Sequence, residues 1–217
     1  MRTFGFPEFL FILEAAQWTL ALSAIAFVGG AVLGLVVALM RTSESTWARN
    51  ASTVFIQIFQ GTPLLLQLFL IFFGAPVLGI DINPWIAAGV ALILNSAAFL
   101  GEIWRGCIQA IPRGQWEAAE ALSLKYGARM RDVVLPQAFK IALAPTVGYL
   151  VQIIKGTSLA AIIGFTEITR AGQIINNATF QPLIVFSVVA AIYFAICWPL
   201  SLLAARMERK RAQALAR

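Results

Sequence analysis

Four polar side chains stand inside long apolar runs of the sequence: Asn95, Glu102, Gln152 and Lys155. Burying such groups in hydrocarbon is costly, so in a membrane-length run they commonly mark the path of a polar solute. Their chemistry is non-covalent, because an amide offers hydrogen bonds while a carboxylate and an ammonium hold opposite charges. We therefore expect them to guide a small polar molecule.

The spacing of these residues groups them on helix faces. Asn95 and Glu102 are seven residues apart, close to two helical turns, and Gln152 and Lys155 are three apart. Asn95 and Lys155 fall near the middle of their apolar runs, so we expect both to face a central cavity. Two alternatives stay open: Lys155 pairs with Glu102, or Glu102 is half solvated beside Arg105.

Residues for other chemistry are missing. The chain has no histidine, and its two cysteines, Cys107 and Cys197, are far apart, which disfavours a metal site or a disulfide. The sequence contains no paired carboxylates and no arrangement of nucleophile and base, so we do not expect an enzyme or a bound cofactor.

Transmembrane helices must position the polar residues. Hydrophobic residues make up 60% of the 217 residues and charged residues 12%, whereas soluble domains carry roughly a quarter charged residues. The apolar residues form blocks long enough to cross a bilayer. We predict an all-α membrane protein with a single transmembrane domain, residues 1–217, of about five transmembrane helices. The spans are about 17–40, 53–73, 85–105, 141–164 and 183–205, with a polar loop at about 106–140.

The second span contains its own helix breakers. Pro63 removes one backbone hydrogen bond and Gly61 loosens the turn before it, so we expect a break or kink. Gln60, Thr62 and Gln67 surround this point. They line a pathway or hydrogen-bond across helices.

The basic residues predict an orientation. With five spans and the N-terminus outside, 13 of the 16 basic residues lie inside; the others are Arg2, Arg170 and Lys155. The C-terminus is then cytoplasmic, and the basic tail touches membrane lipid at the inner surface. Nothing aromatic interleaves with the charges of the tail, so we do not expect nucleic acid as a partner.

The inner loop has more order than a simple connection needs. The stretch 117–136 predicts two short helices, the second ending or kinking at Pro136. Helical spacing puts Trp116 and Ala119 on one face while Glu117 projects elsewhere. From the residues alone, the loop either lies on the membrane surface or docks a soluble partner.

Several motifs in order resemble those of ABC importer permeases of the polar amino acid family, which includes histidine-, glutamine- and arginine-type importers. The resemblance as a whole runs from the first span to the tail of the chain. The motifs are Gln60-Gly61-Thr62-Pro63-Leu64-Leu65, Gly101-Glu102-Ile103-Trp104-Arg105-Gly106, Ile111-Pro112-Arg113-Gly114-Gln115-Trp116-Glu117-Ala118-Ala119, Val133-Val134-Leu135-Pro136 and Lys155-Gly156-Thr157-Ser158-Leu159.

The resemblance implies a type I ABC importer permease architecture with a cytoplasmic coupling helix, in the bacterial inner membrane. Its implied partners are a separate ATPase subunit that uses ATP and Mg, a second permease chain, a periplasmic or lipid-tethered binding protein and a polar amino acid. The implied coupling residues are Gln115, Trp116, Glu117, Ala118, Ala119, Leu122, Ser123 and Gly127. The pathway candidates are Asn95, Glu102, Lys155, Gln60, Thr62, Gln152 and Ser158.

Three positions depart from the family pattern. Ser123 stands where glycine is usual; in a left-handed conformation serine costs roughly 1 kcal/mol, and Gly127 could take over part of the turn. Gln60 and Gly156 stand where relatives often have arginine and aspartate.

The chain lacks a phosphate-binding loop of its own, since Lys155-Gly156-Thr157-Ser158 has no upstream glycine at the required spacing. An ion-gradient secondary transporter is the alternative, against which stand the small size, the odd number of spans and the lack of an inverted repeat.

Overall fold

The computed structural model describes residues 3–215, so Arg2 and Arg217 of the orientation prediction lie outside the described residues, as does the side chain of Arg211. The elements are helical throughout the described part of the chain. They are α1 (Phe6–Thr42), α2 (Thr46–Gly61), α3 (Leu64–Val77), α4 (Pro84–Gln109), α5 (Arg113–Ala121), α6 (Tyr126–Ala128), a π-helical turn (Arg129–Val134), α7 (Leu135–Gly156), a 3-10 segment (Thr157–Ile163), α8 (Ile168–Thr179) and α9 (Pro182–Leu215).

Four helical stretches within residues 3–215 are long and apolar enough to cross a membrane, and the bent pair α2–α3 makes a fifth if it counts as one span. The predicted break at Gly61 to Pro63 is confirmed: α2 ends at Gly61, α3 begins at Leu64, and the two axes meet at 99°. Helix α1 begins at Phe6, so residues 6–16, which precede the predicted first span, belong to the same long helix. The Glu8 carboxylate accepts a hydrogen bond from the Gly5 amide, which caps this early start.

Close packing of α1 against α4 forms the centre of the fold. A Cβ atom on Gly30 would lie 2.5 Å from Ser96 Cβ, and one on Gly34 would lie 3.1 Å from the Ala97 carbonyl oxygen. The Gly30–Gly34 pair thus serves packing within the chain, as small residues do between membrane helices.

The structure corrects two predictions for the later chain. Helical structure is present where the second short helix was predicted, as α6 and the π-helical turn, but it continues into α7 and does not end at Pro136, which lies in the first turn of α7. Pro136 has no N–H to donate to the preceding turn. The backbone changes there from π-helical to α-helical hydrogen bonding, so the helix continues past the proline. The predicted loop after Gly164 contains α8, whose buried Ile168, Ala171 and Gly172 have helical spacing.

Candidate functional site

Helix α5 is a short helix with a well-defined end. Leu122 is its C-cap, and Ser123 has φ +57, in the left-handed region. The Ser123 amide donates to the Glu120 carbonyl at 2.8 Å and the Leu124 amide donates to the Ala119 carbonyl at 3.2 Å. This pair of bonds is the Schellman motif that glycine usually closes. The left-handed turn expected at Ser123 is therefore present, whereas Gly127, which lies inside α6, takes no part in it.

One face of α5 packs on the end of α4 and the start of α7. Ala119 is 2% exposed and Trp116 is half-buried, as their spacing predicted. Trp116 packs against a cluster of buried residues from both neighbouring segments. The cluster consists of Ile108, Ile111, Met130, Val134 and Ala138.

Polar contacts fasten the same helix to its surroundings. Gln137 Nε2 donates to Gln115 Oε1 at 3.1 Å, and Arg129 lies 3.7 Å from the Glu120 carboxylate. The Tyr126 hydroxyl donates to the carbonyl of Thr42, the last residue of α1, at 2.7 Å. The Gln115 and Glu120 contacts and the cluster hold α5 against the segment that leads into α7. We name Arg113–Gly156, from the start of α5 to the end of α7, the α5–α7 unit.

The other face of α5 is open to solvent. Gln115, Glu117 and Ala118 are exposed, as is Ser123 at its end. Leu122, the apolar C-cap residue of α5, is 75% exposed. An exposed surface with two acids, Glu117 and Glu120, and one leucine is suited to contact with another protein.

Hydrogen bonds from two amides stabilise the break between α2 and α3. In a continuous helix the Phe59 carbonyl would accept from residue 63, but Pro63 has no N–H. Gln67 Nε2 donates to this carbonyl at 2.8 Å and to the Thr62 carbonyl at 3.0 Å, and Asn95 Nδ2 also donates to Phe59 at 3.3 Å. Carbonyls freed by a break within the membrane need such partners. We name Gln67 and Asn95 the amide clamp.

The amide clamp also contacts α7. Asn95 Nδ2 donates to Gln67 Oε1 at 3.1 Å, and Asn95 Oδ1 accepts from the Tyr149 hydroxyl at 3.5 Å. The Tyr149 ring stacks on Phe99 with centroids 5.4 Å apart. Sequence reasoning missed Tyr149; its only signal was a phenol inside an apolar run, which usually finds a hydrogen-bond partner.

The remaining predicted pathway residues are dispersed. Glu102 forms an ion pair with Arg105 on its own helix, so the alternative pairing of Glu102 with Lys155 is wrong. Lys155 and Gln152 are exposed on α7. Three further candidates make local bonds: Gln60 donates to Ala98, Thr62 to Ile58 and Ser158 to Lys155. A pathway role for all of these residues stays a prediction.

A buried carboxylate lies at the opposite end of the molecule from α5. Glu167 is fully buried, accepts from the Arg170 amide at 2.8 Å as the N-cap of α8, and accepts from the Tyr193 hydroxyl at 2.6 Å. Burial raises its pKa, while the hydrogen bonds from Thr169, Tyr193 and Arg170 oppose that rise. Glu167 thereby fixes α8 to α9.

Comparison with known proteins gives consistent matches along most of the chain. Residues 30–213 match the family described as binding-protein-dependent transport system inner membrane component. The probable amino-acid ABC transporter permease protein YckA of Bacillus subtilis (strain 168) is 36% identical over 205 residues, which cover 94% of this chain and 91% of the relative. The glutamine transport system permease protein GlnP of Escherichia coli (strain K12) is 37% identical and covers 94% of both chains.

Solved structures share the fold. A crystal structure of an amino acid ABC transporter with histidines has a TM-score of 0.88 and 33% identity, covering 96% of this chain and 100% of the other. An inward-facing structure of the MetNI methionine ABC transporter has a TM-score of 0.79 at 20% identity, with 95% and 99% covered, and indicates the fold alone.

Proposed function

This chain belongs to the family of binding-protein-dependent transport system inner membrane components, and from that premise we propose that it is the permease subunit of an ATP-driven ABC importer for a polar amino acid. The predicted all-α, type I permease architecture is confirmed by the structural matches. Relatives that are ABC permeases favour this function over an ion-gradient secondary transporter.

The two faces of α5 are the observation on which the proposal depends. One face packs against α4 and α7 through Trp116 and buries Ala119, while Glu117 and Leu122 project into solvent. A helix held this way moves as a rigid body with the spans behind it. We assign its open face to a separate ATPase subunit, which binds ATP and Mg in place of this chain.

The proposed assembly has further partners. Lys155 and Gln152 are exposed in the single chain, and a lysine in hydrocarbon is costly. They therefore support a second permease chain with an aqueous pathway between the two copies. A substrate-binding protein delivers the amino acid from the outer side. The inner side holds α5 and the C-terminus in this arrangement.

Reconstituting the permease with its ATPase subunit and binding protein in vesicles tests the proposal. We expect ATP-dependent uptake of at least one amino acid in a panel of polar ones, and ATP hydrolysis stimulated by the same amino acid. Uptake that follows an imposed ion gradient and needs no ATP would overturn it.

A charge-reversal variant tests the assignment of the open face of α5 to the ATPase subunit. Glu117→Lys should abolish uptake and weaken co-purification of the ATPase subunit, because a misplaced charge at a docking face costs binding energy. Glu44→Lys is the matched control, since Glu44 is also exposed and follows α1 in the first polar loop. Undiminished ATPase yield and uptake with Glu117→Lys would contradict the assignment of α5 to docking.

A further inference from the structure

The amide clamp and the α5–α7 unit meet at one contact, between Asn95 and Tyr149. The route to this contact begins at α5, where Gln115 is hydrogen-bonded to Gln137 on α7. Twelve residues separate Gln137 from Tyr149, about 18 Å along a helix. Displacement of α5 therefore reaches the level of the amide clamp through α7.

The hydrogen bond between Tyr149 and Asn95 is long enough to form and break as α7 moves. The clamp is complete without Tyr149, because Gln67 and Asn95 satisfy the carbonyls of the break and bind each other at 3.1 Å. The Tyr149 hydroxyl joins it at 3.5 Å, the long end of hydrogen bonding, while the hydroxyl of Ser96, the next residue on α4, is buried with no hydrogen-bond partner among the described residues. Because the bond between Tyr149 and Asn95 is already long, a small shift of α7 along α4 is enough to break it.

We propose that Tyr149 is a positioning residue that transmits movement of the α5–α7 unit to the break between α2 and α3 through Asn95 and Gln67. The inference rests on the proposed function, since it requires that α5 be moved by a partner. In this inference the break is a moving part of the protein, because the 99° bend between α2 and α3 changes when α7 moves.

Tyr149→Phe tests this with little structural damage, because the ring and its stacking on Phe99 remain. In vesicles containing the full complex, we expect normal assembly and nearly normal ATP hydrolysis, while the amino acid imported per ATP falls about three-fold, the effect of losing an average hydrogen bond between membrane helices. A merely structural role would alter thermal stability and leave the import per ATP unchanged.

Tyr193→Phe is the matched control. It also removes a half-buried hydroxyl, one bonded to Glu167 at 2.6 Å, but it lies on α9 outside the proposed route. We expect it to lower stability and to leave import per ATP at the wild-type value. Equal import per ATP in Tyr149→Phe and wild type would overturn the inference, as would an equal loss in both tyrosine variants.

A double variant shows whether Tyr149 acts through Asn95. If it does, Tyr149→Phe added to Asn95→Ala causes no further loss of import per ATP, since the pathway is already interrupted. Independent, multiplicative losses would contradict this route. A wild-type complex that imports no polar amino acid would instead refute the proposed function.

Discussion

At the scale of single residues, Ser123 shows how backbone conformation can be anticipated from a family pattern. Serine stands where relatives usually have glycine, and the structure places it at φ +57 with both Schellman hydrogen bonds formed. The turn therefore tolerates a side chain at a cost of roughly 1 kcal/mol. Gly127, which was expected to share the turn, is helical because Ser123 already closes it.

Ser123→Gly should stabilise the end of α5. Removing the side chain relieves the left-handed strain, and part of the gain is lost to the greater freedom of glycine in the unfolded state. We expect a net gain of about 0.5 kcal/mol, seen as slower hydrogen exchange of the residue 123 and Leu124 amides. Leu122→Gly is the control, because Leu122 has φ −80 and should lose protection instead. Faster exchange in Ser123→Gly would contradict the strain argument.

At the scale of elements, the break between α2 and α3 depends on distant side chains. Pro63 and Gly61 locate the break in the sequence, but they leave the Phe59 carbonyl without its helical donor. Gln67, on the next helix, and Asn95, on α4, supply the donors. The position of the break was thus predictable from local chemistry, whereas its stabilisation required contacts across helices.

Gln67→Leu should destabilise the complex by about 1–3 kcal/mol, because the Thr62 carbonyl loses the side-chain donor that Gln67 supplies and Phe59 keeps only Asn95. Thermal unfolding of the purified complex measures the change. Gln57→Leu makes the same substitution at an exposed position of α2 and should have a smaller effect. Equal effects of the two variants would argue against a specific role for Gln67 at the break.

At the scale of the whole molecule, two long-range hydrogen bonds define opposite ends. The Phe4 amide donates to Gln181 Oε1 at 3.0 Å, and the Tyr126 hydroxyl donates to Thr42 at the other end. The N-terminal segment thus meets the connection between α8 and α9, while the end of α1 meets the loop that follows α5. This matches the grouping of polar segments in the orientation prediction; which end faces the cytoplasm stays a prediction.

Lys155→Met tests the pathway between two permease chains. If the exposed ammonium of Lys155 contacts the amino acid or lines its route, uptake falls about ten-fold while the complex still assembles, because a hydrogen bond to a charged group is lost. Lys140→Met is the control, an exposed lysine near the start of α7. Wild-type uptake rate and affinity in Lys155→Met would exclude a pathway role.

The sequence by itself determined the membrane class, the position of the break and the two faces of α5. These features depend on composition and on spacing within one segment, and local steric rules are enough to predict them. Only the tertiary structure decided that Asn95 binds Gln67 and Tyr149, and that Glu167 joins α8 to α9 through Tyr193. A buried polar group takes the partner that helix packing and register bring within about 3 Å, and spacing along one helix contains no information about its neighbours.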